Sequence, residues 1–178
     1  MALGRASHSS CRKETDVKIT SDTLKDFRNA LGGFPTGVTV ITALDENKES
    51  VGMTVSSFNS VSLEPPLILW SITRTATYFP VFEKVDHFCV NVLSDEQENI
   101  SNYFASEGDR PFDGMSCVIS NQGAPMFNGC VAHFECNTWA KYDGGDHLII
   151  VGEVTDYEKW DRAPLVFSGG GYRNLTKA

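Results

Sequence analysis

The chain has 178 residues, 41% hydrophobic and 21% charged, a balance that suits one folded domain and excludes disorder throughout. Its net charge is −8, and an acidic surface repels phosphate backbones, so nucleic acid is not an expected partner. Cys11, Cys89, Cys117, Cys130 and Cys136 are odd in number and irregularly spaced, which argues against a secreted disulfide framework and for a reducing, cytoplasmic setting. No apolar run approaches the roughly 18 residues that cross a bilayer, so no membrane association is expected.

Residues 1–20 read as a polar tail, and residues 21–178 as a single domain. The first thirteen residues lack acids and carry Arg5, Arg12 and Lys13, a mild likeness to a transit peptide. A disordered leader is the simpler expectation. Ser21 or Asp22 is placed to cap a short helix, with Leu24, Phe27 and Leu31 on one face and Gly32-Gly33 as its stop. Val38 to Ala43 is a β-branched run, Asp45 to Lys48 a polar turn, and a second strand begins near Ser50. Leu67 to Ile72 is almost continuously apolar, which predicts a strand buried on both faces or set in a barrel core. Thr75 to Lys84 predicts a short helix, irregular past its first turn because of Pro80. After a strand over Phe88 to Leu93, Ser94-Asp95-Glu96-Gln97 is a capping box that opens a helix to about Ala105. Residues 107–116 are loop. Long strands follow over Cys130 to Tyr142 and His147 to Tyr157, joined at the hairpin signal Asp143-Gly144-Gly145-Asp146. Phe167 to Arg173, with three successive glycines, closes the domain.

Many strands with two or three short helices predict a mainly antiparallel β-barrel. A Rossmann fold would need βαβ alternation and a Gly-x-Gly-x-x-Gly turn, and neither is visible. Cys130, His133 and Cys136 suggest metal ligands. On one strand, however, His133 points away from the face shared by the two cysteines, so no metal site is expected. There is no His-Glu-x-x-His pattern and no Gly-x-Ser-x-Gly elbow. Asp143 and Asp146 are turn residues before they are an acid pair.

The segment Gly52-Met53-Thr54-Val55-Ser56-Ser57-Phe58 is dense in hydroxyls and free of charge. Hydroxyls and backbone amides can meet a phosphate or carbonyl without the cost of burying a charge. Taken alone, the stretch reads first as a hydroxyl-rich strand and loop.

Four pieces in order change that reading: Phe34-Pro35-Thr36-Gly37-Val38-Thr39-Val40; Gly52 to Phe58 with Ser62-Leu63-x-Pro65-Pro66-Leu67; Gly145-Asp146-His147; and Phe167-x-x-Gly170-x-Tyr172. From about Phe27 to Tyr172 the chain resembles the flavin reductase family of FMN-binding split barrels. These are the short-chain reductases that supply reduced flavin to two-component monooxygenases. The resemblance implies a split β-barrel with a few short flanking helices. It implies an NAD(P)H:flavin oxidoreductase that transfers hydride from NADH or NADPH to FMN or FAD, a homodimer, and a separate oxygenase partner. It places Thr36, Gly37, Thr54, Val55, Ser56 and Ser57 against the flavin, with Ser71, Arg74, Thr75 and Ala76 toward its polar portion. Asn91 and Tyr172 complete the expected cofactor contacts. His147 is the expected catalytic residue, facing the nicotinamide side of the flavin, where the flavin N5 accepts hydride without a protein acid. Gly171 stands where many relatives carry an arginine or lysine, which leaves the dinucleotide grip and the NADH or NADPH choice open. Rival expectations are a non-catalytic flavin-binding electron carrier and a ferric or cobalamin-type reductase on the same fold.

Overall fold

The computed structural model describes residues 20–176, so the expected leader lies, apart from Thr20, outside the described residues. Helix α1 (Ser21–Gly32) is capped by Thr20, one residue before Ser21 and two before Asp22, the caps expected from the sequence, and the Thr20 N–H donates to Thr23 Oγ1 at 2.8 Å. Leu24, Phe27 and Leu31 fall on one face as spaced, yet α1 buries none of its residues. Strands β1 (Thr36–Gly37), β2 (Thr39–Leu44) and β3 (Ser50–Val55) follow. The β2–β3 turn is held by Asp45 Oδ1, which accepts the N–H groups of Asn47 and Glu49 at 2.8 Å.

After β4 (Asn59–Leu63), β5 (Pro66–Thr73) corrects one expectation. Burial alternates along it: Ile68, Trp70 and Ile72 point into the core, while Leu69, Ser71 and Thr73 lie on a half-covered outer face. The helix expected over Thr75–Lys84 shrinks to α2 (Phe79–Phe82). Pro80 sits in its first turn, where the missing N–H has no helical partner to lose. Strand β6 (His87–Val92) leads to a 3₁₀ turn (Asp95–Gln97) and then helix α3 (Glu98–Ala105). The Ser94 N–H donates to Gln97 Oε1 at 3.0 Å, the return half of the expected capping box. Short strands β7 (Cys117–Ile119) and β8 (Pro125–Phe127) form a hairpin. Strands β9 (Ala132–Gly144) and β10 (His147–Lys159) turn at Gly145-Asp146, with Gly145 at φ 77°. Strands β11 (Val166–Ser168) and β12 (Gly171–Arg173) turn through Gly169 and Gly170, both at positive φ, where only glycine is unstrained.

One sheet holds seven strands in the order β3-β2-β6-β9-β10-β5-β4, every pairing antiparallel. The mainly β, split-barrel class expected from the sequence is the architecture observed. The inner face carries Ile41, Val51, Val55, Trp70, Phe88 and Ile150. Trp70 meets Phe82 edge to face with centroids 5.1 Å apart. A second core, including Val40, Leu93, Phe104 and Phe127, lies where α3 covers the other side of β2 and β3. Cys130 precedes β9 and belongs to this second core, whereas Cys136 lies in the first. His133 Nε2 lies 2.9 Å from the Phe127 carbonyl oxygen.

The sheet's edges meet near Ser57. Pairing of β4 with β5 runs out at Leu69, so Ser71 has no ladder partner on that side. The Ser57 hydroxyl takes the place of one: it accepts the Ser71 N–H at 2.9 Å and donates to the Ser71 carbonyl at 3.0 Å. A side chain thus ties the connection between β3 and β4 to β5.

A Cβ on Gly152 would fall 2.5 Å from the Phe88 ring and 3.1 Å from Cys136 Cβ. Gly152→Val is expected to lower stability by about 1–3 kcal/mol, read as a shift of the urea midpoint. Gly32→Ala, which would meet nothing within 4 Å, is expected to leave the midpoint unchanged or slightly raised. Equal shifts for the two variants would contradict this packing.

Candidate functional site

Gly52 and Thr54 alternate with Val51, Met53 and Val55 along β3, so they face α3 rather than the barrel interior. A Cβ on Gly52 would lie 2.8 Å from the Phe104 ring and 2.9 Å from Phe112, so glycine is what lets α3 approach. Thr54 Oγ1 donates to the Ser101 carbonyl at 2.8 Å and fixes that approach.

Two hollows open beside β3 and α3, one toward the hairpin of β11 and β12 and the other toward residues 73–78 and the loop after α3. The first, about 170 Å³, is lined by Val38, Thr54, Val55, Ser56, Phe167 and Tyr172 among others. The second, about 590 Å³, is lined by Thr54, Thr73, Thr75, Ala76, Tyr78 and Arg110 among others. Thr54 and Ala105 line both, so the two hollows adjoin there and together make up the candidate cleft. The larger hollow lies within the ordinary range for small-ligand sites.

The structure therefore gathers Thr54, Val55, Ser56, Thr75, Ala76 and Tyr172 on one cleft. Thr36 and Gly37 border it through pairing of β1 with β11 at Phe167 and Val166. Thr36 Oγ1 is buried and makes no hydrogen bond within the described residues. It is sealed from solvent, and Thr36 lines neither hollow. The hydroxyls of Thr54, Ser56, Thr73 and Thr75, which do line the hollows, fit the polar edge of a flat heterocycle such as flavin.

Four expected contacts stand differently. Ser57 and Ser71 hydrogen-bond each other in the clip that closes the barrel. Asn91 is fully buried, away from the cleft. Its Nδ2 donates to the Val40 carbonyl and to Thr42 Oγ1, and its Oδ1 accepts the Phe127 N–H at 2.8 Å, so it ties β2, β6 and β8 together. This corrects the expectation of a cofactor contact, because none of its polar atoms is left for a ligand. Arg74 is half exposed, pairs with Asp143, donates from Nε to the Gly145 carbonyl and lies over the Phe79 ring. Its fork is occupied at the outer rim.

His147 pairs with Thr73, so it stands one strand beyond the wider hollow, at the rim. Its Nδ1 lies 2.7 Å from Asp146 Oδ1, and its Nε2 makes no hydrogen bond within the described residues. That contact holds the Asp146 carboxyl below its ordinary range, first through the hydrogen bond and then through charge. Tyr172 rests edge to face on Phe167, and its hydroxyl lies 2.8 Å from Ser101 Oγ and 2.9 Å from Asn102 Oδ1. Sequence patterns did not mark Ser101, Ala105, Tyr78 or Arg110. They reach the cleft only through the packing of α3 and the loops around it.

A depressed carboxyl pKa means the Asp146–His147 contact is present at neutral pH and is lost as pH falls through the folded value. An NMR titration should place the Asp146 carboxyl midpoint below 3.8; a midpoint at or above that value would contradict the contact.

Comparison with known proteins shows the family. Residues 31–176 match the model of the flavin reductase like domain. The chain is 46% identical over 153 residues to an NADH-dependent FMN reductase of Agrobacterium fabrum, spanning 86% of this chain and 87% of that protein. It is 39% identical to the reductase subunit of a flavin-dependent monooxygenase of Rhodococcus jostii, spanning 84% of this chain and 76% of that protein. The crystal structure of an NADH:FAD oxidoreductase of Streptomyces globisporus, solved with NAD and FAD fragments, superposes with a TM-score of 0.82 at 39% identity. That match covers 87% of this chain and 94% of the other. The chain belongs to the flavin reductase family.

Proposed function

We propose that the chain is an NAD(P)H-dependent flavin reductase that holds FMN or FAD in the cleft between β3 and α3. The observation that carries this reading is the pair of hollows that meet at Thr54, lined by the hydroxyls of Thr54, Ser56, Thr73 and Thr75 and by the apolar surface of Val38, Phe167 and Tyr172. Bound there, the flavin supplies the N5 acceptor for hydride from the nicotinamide. The protein's part is to position and to exclude water. Phe167, Tyr172 and Val38 offer the apolar surface against which a flat ring system rests. Thr54 and Ser56 offer hydroxyls to its polar edge. His147, whose Nδ1 lies against Asp146, would cover the rim where a nicotinamide enters, with its Nε2 left for that ligand.

The reduced flavin passes to a separate oxygenase, a role supported by relatives named as monooxygenase reductase components. Two chains assemble as a homodimer. The apolar face of α1 and the large aromatics Trp139 and Tyr142 are exposed in the single chain, and surface of that kind favours a partner. Among the described residues no helix is long and apolar enough to cross a membrane.

Loss of NADH absorbance on addition of FMN or FAD tests the activity, and a rate no higher than without flavin would overturn it. His147→Ala is expected to lower kcat by about tenfold or more while leaving flavin affinity nearly unchanged. A solution mass equal to one chain would overturn the dimer.

A further inference from the structure

His147 leaves the tight turn between β9 and β10, and one residue from beyond that hairpin grips the turn. Arg74 follows β5, whose last residue, Thr73, pairs with His147. The Arg74 backbone N–H donates to the Asp146 carbonyl at 2.9 Å. Its side chain then reaches along the turn. The Nε donates to the Gly145 carbonyl at 3.2 Å, and Nη2 pairs with the Asp143 carboxylate on β9. The guanidinium carbon lies 5.7 Å from the centre of the Phe79 ring, so the first residue of α2 backs it. Acceptors at Asp143, Gly145 and Asp146 thus all meet donors of a single residue.

Such contacts are poorly placed to add stability. The Arg74 side chain is 41% exposed and that of Asp143 78%, and an ion pair so open to water is screened and contributes little. They are well placed to fix a position. Beyond its own hairpin pairing the tip of the turn is open: a Cβ on Gly145 would meet nothing within 4 Å, and the Asp146 side chain is 90% exposed. The His147 ring takes its bearing from this turn, since its Nδ1 lies 2.7 Å from Asp146 Oδ1. Where the turn sits therefore decides where His147 Nε2 sits. Displacing a reacting geometry by about 1 Å lowers a rate on the order of a hundredfold. We propose that Arg74 is a positioning residue for hydride transfer, acting through His147 by holding the turn at residues 143–146 against β5. It touches neither the nicotinamide nor the flavin in this role. The assignment rests on the reading of His147 given above.

A double-mutant cycle on NADH oxidation with FMN tests this, with FMN affinity read separately from fluorescence quenching without nicotinamide. Arg74→Ala keeps the backbone bond and removes the rest. It is expected to lower kcat by about tenfold and to change FMN affinity by less than about twofold. Placed in His147→Ala, it should slow the enzyme by less than about twofold more, because a residue that acts through His147 has nothing left to position. Arg74→Lys keeps the charge but not the fork, and should recover only part of the loss. Asp143→Ala removes one of the three acceptors without touching Arg74, and should give a smaller loss that is likewise absent in His147→Ala. Losses that multiply in the double variant would overturn the proposal, since Arg74 would then act independently of His147. A fall in FMN affinity would make Arg74 a flavin contact and overturn it as well. An unchanged kcat in Arg74→Ala, beside a slow His147→Ala, would overturn the role of Arg74 alone. A His147→Ala enzyme as fast as the wild type would overturn the reading of His147, and the role of Arg74 with it.

Discussion

One serine hydroxyl holds the sheet where a ladder runs out. At Ser71 the ladder of β4 has ended, and a half-buried strand with an unpaired N–H and carbonyl is unfavourable by about 1–3 kcal/mol for each group. Ser57 satisfies both with one side chain. No second strand is needed there, so the wall can open just beyond the clip. Ser56, the residue before it, lines the opening. The split in the barrel and the site beside it have one origin, the replacement of a strand by a side chain.

What the clip opens, α3 shapes. Gly52 admits the Phe104 ring at a distance that a Cβ would forbid, and the Thr54 hydroxyl holds the Ser101 carbonyl. The C-terminal hairpin completes the wall, with the Tyr172 hydroxyl set against Ser101 and Asn102. Neutral hydroxyls line much of the cleft, and charged groups stand inside at Arg110 and Glu107 and at the rim in the Asp146–His147 pair. Such a site can take a ligand with a flat polar ring and an anionic tail at little desolvation cost.

Local chemistry was legible in the sequence. The two-residue turn before His147, the return bond from Gln97 and the class of the barrel each follow from signals within a few residues of one another. Thr54, Ser56, Thr75 and Tyr172 were found through an ordered set of motifs, and they share one cleft. What tertiary packing decides was not legible. Ser57 looked like a ligand contact, but its partner is another strand's backbone. Asn91 sits in an apolar run, where a polar side chain suggests a ligand, yet its partners come from β2 and β8. Arg110, between an aspartate and a proline in a loop, reads as a solvated charge until the fold buries it.

The family places this chain among flavin reductases, and the cleft accounts for how such chemistry is housed here. The most direct test is a crystal structure of the chain grown with FMN. The account predicts the isoalloxazine between Thr54 and the Phe167–Tyr172 pair, with the rest of the flavin running toward Thr75. Flavin density on any other surface, with this cleft holding only water, would contradict it.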